Sequence, residues 1–142
     1  MILFLIMLGG IAEMKVLYYY APNDIRVVDH AEPTVKGGEV IIKVSAAGLC
    51  GTDRHIADGT YSATKSIVLG HEVAGIVQEV GSGVNHLSVG MTVCVDPNLA
   101  CHSCKHCHAG RPQLCSNAQA IGVTRDGGLA SYVSVPAELC HP

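Results

Sequence analysis

Aromatic residues and clustered positive charge are both scarce in this sequence. Of 142 residues, none is Trp, one is Phe and five are Tyr, and the nine Lys and Arg residues are spread along the chain. Without a basic patch, the chain lacks the electrostatic footprint of a protein that binds nucleic acid or an anionic membrane surface. We therefore expect no nucleic-acid partner and no membrane partner.

A complete G-x-G-x-x-G motif is also missing. The nearest stretch, Gly81-x-Gly83-x-x-His86, lacks the third glycine, and a turn between strands is the better interpretation. The sequence therefore predicts no nucleotide-binding domain and no cofactor-binding residue within this chain.

The first twelve residues, MILFLIMLGGIA, are almost wholly apolar. They are too few to span a bilayer as a helix, and they lack the basic n-region and the A-x-A cleavage site of a signal peptide. A signal or anchor is the alternative interpretation. We expect residues 1–13 to form an apolar extension outside the fold, and residues 14–142 to form one domain in the cytoplasm, where thiols stay reduced.

Sixteen glycines and many short β-prone runs favour a mainly β fold. The predicted strands are residues 15–20, 25–30, 39–47, 67–69, 73–80, 91–96, 121–123 and 129–135. A short helix is predicted within residues 48–59, with Thr52 or Asp53 as its N-cap. Short strands separated by glycine-rich turns are typical of a barrel or a sandwich.

Four cysteines lie within fifteen residues, in the pattern C-x2-C-x2-C-x7-C. Closely spaced thiolates can surround one tetrahedral zinc ion, and a site closed by four thiolates is structural because no position remains for a substrate. The predicted ligands are Cys101, Cys104, Cys107 and Cys115, in a lobe over residues 97–116.

Two alternatives to zinc stay open at this point. A bacterial iron–sulfur motif also begins C-x2-C-x2-C, but it continues with a gap of three and a proline, whereas here the gap is seven and Ser116 follows. Disulfides are disfavoured by the odd total of seven cysteines. Histidines between the cysteines could also replace one thiolate as a ligand: His102, His106 and His108.

A second group of potential ligands precedes the cysteine lobe. Cys50, His71 and Glu72 offer a thiolate, an imidazole and a carboxylate, the donor types of a catalytic zinc site. Asp53 could accept the second imidazole N–H of a ligating histidine.

Two further side chains near this group suit proton transfer. Thr52 and His55 place a hydroxyl and an imidazole at short spacing, as a proton relay requires.

At these residues the chain resembles the zinc-dependent medium-chain alcohol dehydrogenase family, in its polyol and threonine dehydrogenase branch. The stretch from Gly70-His71-Glu72 through Val84 fits the signature G-H-E-x2-G-x5-G-x2-V at every position. Residues 48–53 (GLCGTD) are similar to the first zinc-ligand motif of the family, and residues 101–115 to its structural zinc loop. The similarity covers residues 14–142.

The resemblance implies a GroES-like β-barrel with short helices and a zinc lobe. It implies that Cys50 and His71 bind catalytic zinc, with Glu72 as a ligand or beside the metal. It also implies that Asp53 orients His71, that Thr52 accepts the substrate proton and that His55 passes it to solvent.

The activity implied is oxidation of a small-molecule alcohol or polyol with NAD(P), by a full-length enzyme that forms a homo-oligomer. The Rossmann domain of the family and its remaining zinc ligand have no counterpart in the 142 residues, so we expect an incomplete catalytic site and an inactive isolated chain. The alternatives are a non-catalytic zinc-binding remnant and, from the barrel alone, a co-chaperonin-like subunit.

Overall fold

The computed structural model describes residues 12–142. Ten strands occur in this part of the chain: β1 (Glu13–Ala21), β2 (Asp24–Ala31), β3 (Glu39–Gly48), β4 (Ile67–Val68), β5 (Glu72–Val80), β6 (Thr92–Val95), β7 (Asn98–Leu99), β8 (Gln119–Ala120), β9 (Tyr132–Pro136) and β10 (Cys140–His141). The helices are α1 (Gly51–Asp58) and α2 (Lys105–His108), with single 3-10 turns at Pro112–Leu114 and Ala137–Leu139. The predicted extension over residues 1–13 falls almost entirely outside the described residues.

Two antiparallel sheets form the body of the fold. One has the strand order β2-β1-β4 and the other has the order β10-β6-β5-β3-β9, while β7 and β8 pair separately. Residues 129–131 join the sheets, because Leu17 donates its N–H to the Leu129 carbonyl (2.9 Å) and Val44 donates to the Ser131 carbonyl (2.9 Å). The prediction of a mainly β fold is confirmed, although the strand pairings within residues 12–142 do not close a continuous barrel.

β1 and β2, which contain the predicted strands at residues 15–20 and 25–30, pair as a hairpin. Glu13 pairs with Ala31 and Tyr19 with Ile25, and the turn lies at Pro22 and Asn23. Asn23 has a φ of 61°, a left-handed conformation that asparagine tolerates better than most residues.

Two local predictions are wrong. The N-cap of α1 is Cys50 rather than Thr52 or Asp53, and Asp53 instead accepts a hydrogen bond from the Cys50 N–H (2.8 Å). Residues 121–123 belong to a turn rather than a strand, because the N–H groups of Val123, Thr124 and Arg125 all bond back to the Ala120 carbonyl.

The main core lies on one face of the five-stranded sheet, where side chains at alternate positions point inward. Fully buried members from four of its strands are Val40, Ile42, Val77, Val93, Val133 and Val135. A second cluster packs Ile56 of α1 against Tyr19 and Leu69, which ties α1 to the smaller sheet. Within residues 12–142 no helix has the length and apolar character needed to cross a bilayer.

A partly buried ion pair fixes the loop after β8 to the start of β3. Arg125 donates to Glu39 (2.5 Å), which also accepts a hydrogen bond from the Ser134 hydroxyl (2.8 Å). Burial alone raises the pKa of Glu39, but the bonds from Arg125 and Ser134 outweigh it and leave that pKa below its usual value. The pair therefore holds the loop on the sheet with an ionised carboxylate.

Replacing Gly75 with alanine tests the close contact between β3 and β5. A methyl group there would collide with the Lys43 carbonyl of the paired strand and with Ile42. We expect Gly75→Ala to lower the free energy of unfolding by about 1–3 kcal/mol, the usual cost of overpacking, in urea denaturation at saturating zinc.

Gly51→Ala is the matched control, since a methyl group at Gly51 meets no atom within 4 Å and the φ there is not positive. It should change stability by less than about 1 kcal/mol. Equal losses in the two variants would contradict the packing described for Gly75.

Candidate metal centres

The pairing of β3 with β5 brings the first group of candidate ligands together. Gly48 at the end of β3 lies opposite Glu72 at the start of β5. Cys50 follows β3 and begins α1, and His71 directly precedes β5. Consequently one ligand atom each of Cys50, His71 and Glu72 lies within 4.8 Å of the others.

Gly48 leaves the space that the Glu72 side chain occupies. A Cβ atom built at Gly48 would overlap the Glu72 carboxylate. The missing side chain thus allows the carboxylate to lie across β3 towards Cys50. The sequence showed Gly48 only as part of a motif, and nothing in it indicated this role before the strand register was known.

Asp53 lies behind His71 in the interior. The Asp53 side chain is 6% exposed and that of His71 is 13% exposed, and Asp53 Oδ1 stands 3.6 Å from His71 Nδ1. Neither of these two buried atoms has a hydrogen-bond partner in the structure. Since Nδ1 faces Asp53, the Nε2 atom is the ring nitrogen left for a metal ion, and a small ring rotation would give Nδ1–H a carboxylate acceptor.

The loop before His71 is fixed by backbone contacts. Gly70 has a φ of 97°, and its carbonyl accepts the N–H of Gly128 (2.9 Å), while the Leu69 carbonyl accepts that of Leu129 (2.9 Å). A Cβ at Gly70 would press on Leu129 at 2.6 Å. Glycine is therefore required immediately before the histidine.

Thr52 and His55 lie on α1 at different distances from this group. The Thr52 hydroxyl oxygen is 3.7 Å from the Cys50 sulfur. The His55 side chain is 61% exposed, and its Nδ1 atom is 2.9 Å from the Thr60 hydroxyl. The structure thus brings Thr52 to the candidate ligands and places His55 on the solvent side.

The four cysteines of the lobe form a second, compact group. All four sulfurs lie within 4.8 Å of one another, with Cys107 at 3.6 Å from Cys104 and 4.0 Å from Cys101. A tetrahedron of zinc–sulfur bonds of about 2.3 Å has sulfur–sulfur edges of about 3.8 Å. The spacing therefore fits one zinc ion held by four thiolates.

Backbone N–H groups stabilise negative charge on part of this group. Hydrogen bonds from the Cys107 and Ser116 N–H groups lower the pKa of Cys104 to about 5, and those from Ser103 lower the pKa of Cys101 to about 7. Burial and the neighbouring thiols raise the pKa of Cys107 to about 12. Four thiolates can lie this close together only when a cation offsets their repulsion, so a bound metal ion is what would keep all four cysteines deprotonated.

The remaining histidines and cysteines of interest lie apart from both groups. The sulfur group contains no imidazole, and His102 instead lies 3.3 Å from the Glu138 carboxylate. Cys140 is buried in the main core, and burial raises its pKa to about 11. All seven cysteines are free of disulfides.

Comparison with known proteins agrees with this arrangement. The protein-family model of the alcohol dehydrogenase GroES-like domain matches residues 36–142. The chain belongs to the alcohol dehydrogenase family. It is 38% identical over 131 residues to D-arabinitol dehydrogenase 1 of Uromyces fabae, covering 92% of this chain and 38% of that protein. It is 41% identical over 115 residues to L-threonine 3-dehydrogenase of Streptomyces coelicolor, covering 78% and 34%.

A solved structure shares the fold. A zinc-binding dehydrogenase from Sinorhizobium meliloti bound to NADP superposes with a TM-score of 0.90 at 41% identity, covering 92% of this chain and 38% of that one. The resemblance read from the motifs is confirmed, as is the GroES-like fold. The chain spans less than two fifths of the length of each of these three proteins.

Removing one sulfur should abolish metal binding in the lobe. We expect the reduced chain to retain about one tightly held zinc, and Cys107→Ser to lose it and to unfold at lower temperature, because a closed thiolate site contributes directly to folding. Atomic emission analysis and thermal unfolding, with and without a chelator, measure both effects.

Cys94→Ser serves as the control, since Cys94 is exposed on β6 and belongs to neither group. It should keep the zinc and the melting temperature of the parent chain. Iron in the purified protein, or undiminished zinc in Cys107→Ser, would contradict this assignment.

Proposed function

We propose that this chain is the zinc-binding catalytic part of an NAD(P)-dependent dehydrogenase that oxidises a small alcohol or polyol. The observation that supports it best is the convergence of Cys50, His71 and Glu72 within 4.8 Å, with the Asp53 carboxylate directed at His71 from behind. A structural lobe alone would not need this second set of donors. Residues 14–142 would form the catalytic domain, with the zinc lobe at residues 97–116.

The residues fit a catalytic zinc ion. Cys50 and the Nε2 atom of His71 would bind it, with Glu72 as a further ligand or poised beside it. His71 Nδ1 and Asp53 Oδ1 support this, since they are buried 3.6 Å apart without a hydrogen-bond partner. A metal ion on Nε2 would fix the imidazole ring so that Nδ1–H can donate to the Asp53 carboxylate. When bound, zinc supplies a Lewis acid that lowers the pKa of a substrate alcohol.

The polar residues of α1 would transfer the hydroxyl proton of the substrate to solvent. Thr52, beside Cys50, would accept the hydroxyl proton of the alcohol. His55 lies one helical turn further along α1 and is open to solvent, so it would carry the proton away. Asp53 would keep the His71 ring in the tautomer that leaves Nε2 unprotonated.

The hydride acceptor would be bound outside these 142 residues. The sequence has no G-x-G-x-x-G motif, and the matched structure from Sinorhizobium meliloti that carries NADP is more than twice as long. We propose that this chain acts as part of a longer protein that binds the nucleotide and completes the zinc ligand set. That protein would form a homo-oligomer and work in the cytoplasm. The polyol and threonine dehydrogenases among the relatives favour a substrate with several polar groups.

Asp53→Asn should weaken the second metal site selectively. The asparagine carbonyl can still accept the Cys50 N–H, but its amide then turns a donor towards His71 Nδ1 and favours a proton on Nε2, the metal-binding atom. We expect the affinity of the weaker zinc site to fall by about 10–100-fold in competition titrations.

The tight site of the four cysteines should be unchanged in Asp53→Asn. Asp29→Asn is the matched control, because Asp29 is exposed, pairs with Lys15 across the hairpin and belongs to neither ligand group. A second site that is absent from the parent chain, or indifferent to Asp53, would count against the proposed function.

The 142-residue chain should not oxidise alcohols with added NAD or NADP. Its candidate catalytic site has three metal-ligand donors, and its sequence has no nucleotide-binding motif. We expect the absorbance of reduced nicotinamide cofactor to stay at the level of a protein-free blank with each of a panel of alcohols and polyols. Turnover by the purified chain that is lost in Cys50→Ser would show that residues 1–142 suffice for the reaction.

A further inference from the structure

Three polar side chains meet at the end of α1, outside both metal centres. The Thr60 hydroxyl oxygen lies 2.5 Å from Asp58 Oδ1 and 2.9 Å from His55 Nδ1. The Thr60 N–H donates to the same Asp58 oxygen at 2.9 Å. His55 is a candidate proton carrier, whereas the motifs gave no role to Asp58 or Thr60.

The way the helix ends produces this contact. Gly59 follows α1 with a φ of 83°, and its N–H bonds to the Ile56 carbonyl (3.1 Å). The Tyr61 N–H then reaches the His55 carbonyl at 2.9 Å. The chain therefore turns back over the last helical turn, and the Thr60 hydroxyl comes to lie beside the His55 ring.

The Thr60 hydroxyl has a single proton to donate. Hydrogen bonds from the hydroxyl and then the N–H of Thr60 lower the pKa of Asp58, so its carboxylate is ionised near neutral pH and can only accept. The hydroxyl proton goes to Asp58 at 2.5 Å rather than to the His55 carbonyl at 3.4 Å. Towards His55 Nδ1 the hydroxyl oxygen can then act only as an acceptor.

We propose that Thr60 and Asp58 hold the neutral His55 ring in its Nδ1–H tautomer and leave Nε2 as the free proton acceptor. Both are positioning residues, since they act on the proton path through His55. Asp58 Oδ2 is 3.9 Å from His55 Nδ1, and Arg54 is the other charged group close to Asp58. Only the use of the tautomer in alcohol oxidation rests on the proposed function.

In that reaction the proton would enter and leave at one nitrogen. Thr52 takes the substrate hydroxyl proton while its own proton passes to His55 Nε2, which gives an imidazolium. The Nδ1–H bond to Thr60 is retained, and the nearby Asp58 carboxylate stabilises the positive charge. Water then removes the proton from Nε2, and the neutral Nδ1–H ring is restored.

Nitrogen NMR of the zinc-loaded, ¹⁵N-labelled chain tests the tautomer directly. At about pH 8.5 ordinary histidines are neutral, and in water they favour the Nε2–H form. For His55 we expect the reverse, with a pyrrole-like shift at Nδ1 and a pyridine-like shift at Nε2. Thr60→Val should invert the two shifts, and Thr60→Ser should keep the order of the parent chain.

Thr34→Val is the matched control, because Thr34 is exposed on a loop away from α1. It should leave the His55 shifts unchanged. An Nε2–H ring in the parent chain, or the same tautomer in Thr60→Val as in the parent, would overturn the proposal. If instead the tautomer behaves as expected while the chain has no second zinc site, the proposed function fails and this inference stands.

Discussion

The antiparallel register of β3 and β5 is the constraint on which the candidate catalytic site depends. Because Gly48 lies opposite Glu72, Cys50, two residues after β3, and His71, just before β5, reach the same end of the sheet. Slipping this pairing by one residue would turn Glu72 to the other face of the sheet and separate it from Cys50. The buried valines and isoleucines along both strands hold the register, so the core positions the site.

The two candidate metal centres are assembled in different ways. The four cysteines come from one short segment, and local backbone N–H groups stabilise the thiolates, so this centre needs little from the rest of the fold. Cys50 and His71 meet only through strand pairing, and Asp53 reaches His71 only because Cys50 begins α1. This difference explains why we assign tight binding to the first centre and weaker binding to the second.

The sequence predicted what depends on local pattern. The strands β1 and β2, the cysteine lobe and the G-H-E motif were all visible as spacings of particular residue types. The strand prediction failed at residues 121–123, where the N–H groups of Val123, Thr124 and Arg125 all bond to the Ala120 carbonyl and form a turn.

The sequence also could not predict roles that depend on a missing side chain or on a contact made where the chain turns back over a helix. Gly48 matters because of the Glu72 side chain that overlies it, and this neighbour is set by strand register. The contact of Thr60 with His55 had a weak local signal in Asp58-Gly59-Thr60, a typical turn sequence after a helix. Nothing in that signal named His55 as its target.

X-ray absorption at the zinc edge, recorded as zinc is added to the metal-free chain, tests the account most directly. The first equivalent should show only sulfur neighbours at about 2.3 Å, and the second should add nitrogen and oxygen neighbours at about 2.0–2.1 Å. Cys50→Ser should abolish the second spectrum and leave the first intact. Nitrogen or oxygen ligands in the first equivalent, or a second equivalent unaffected by Cys50→Ser, would contradict the two-centre description.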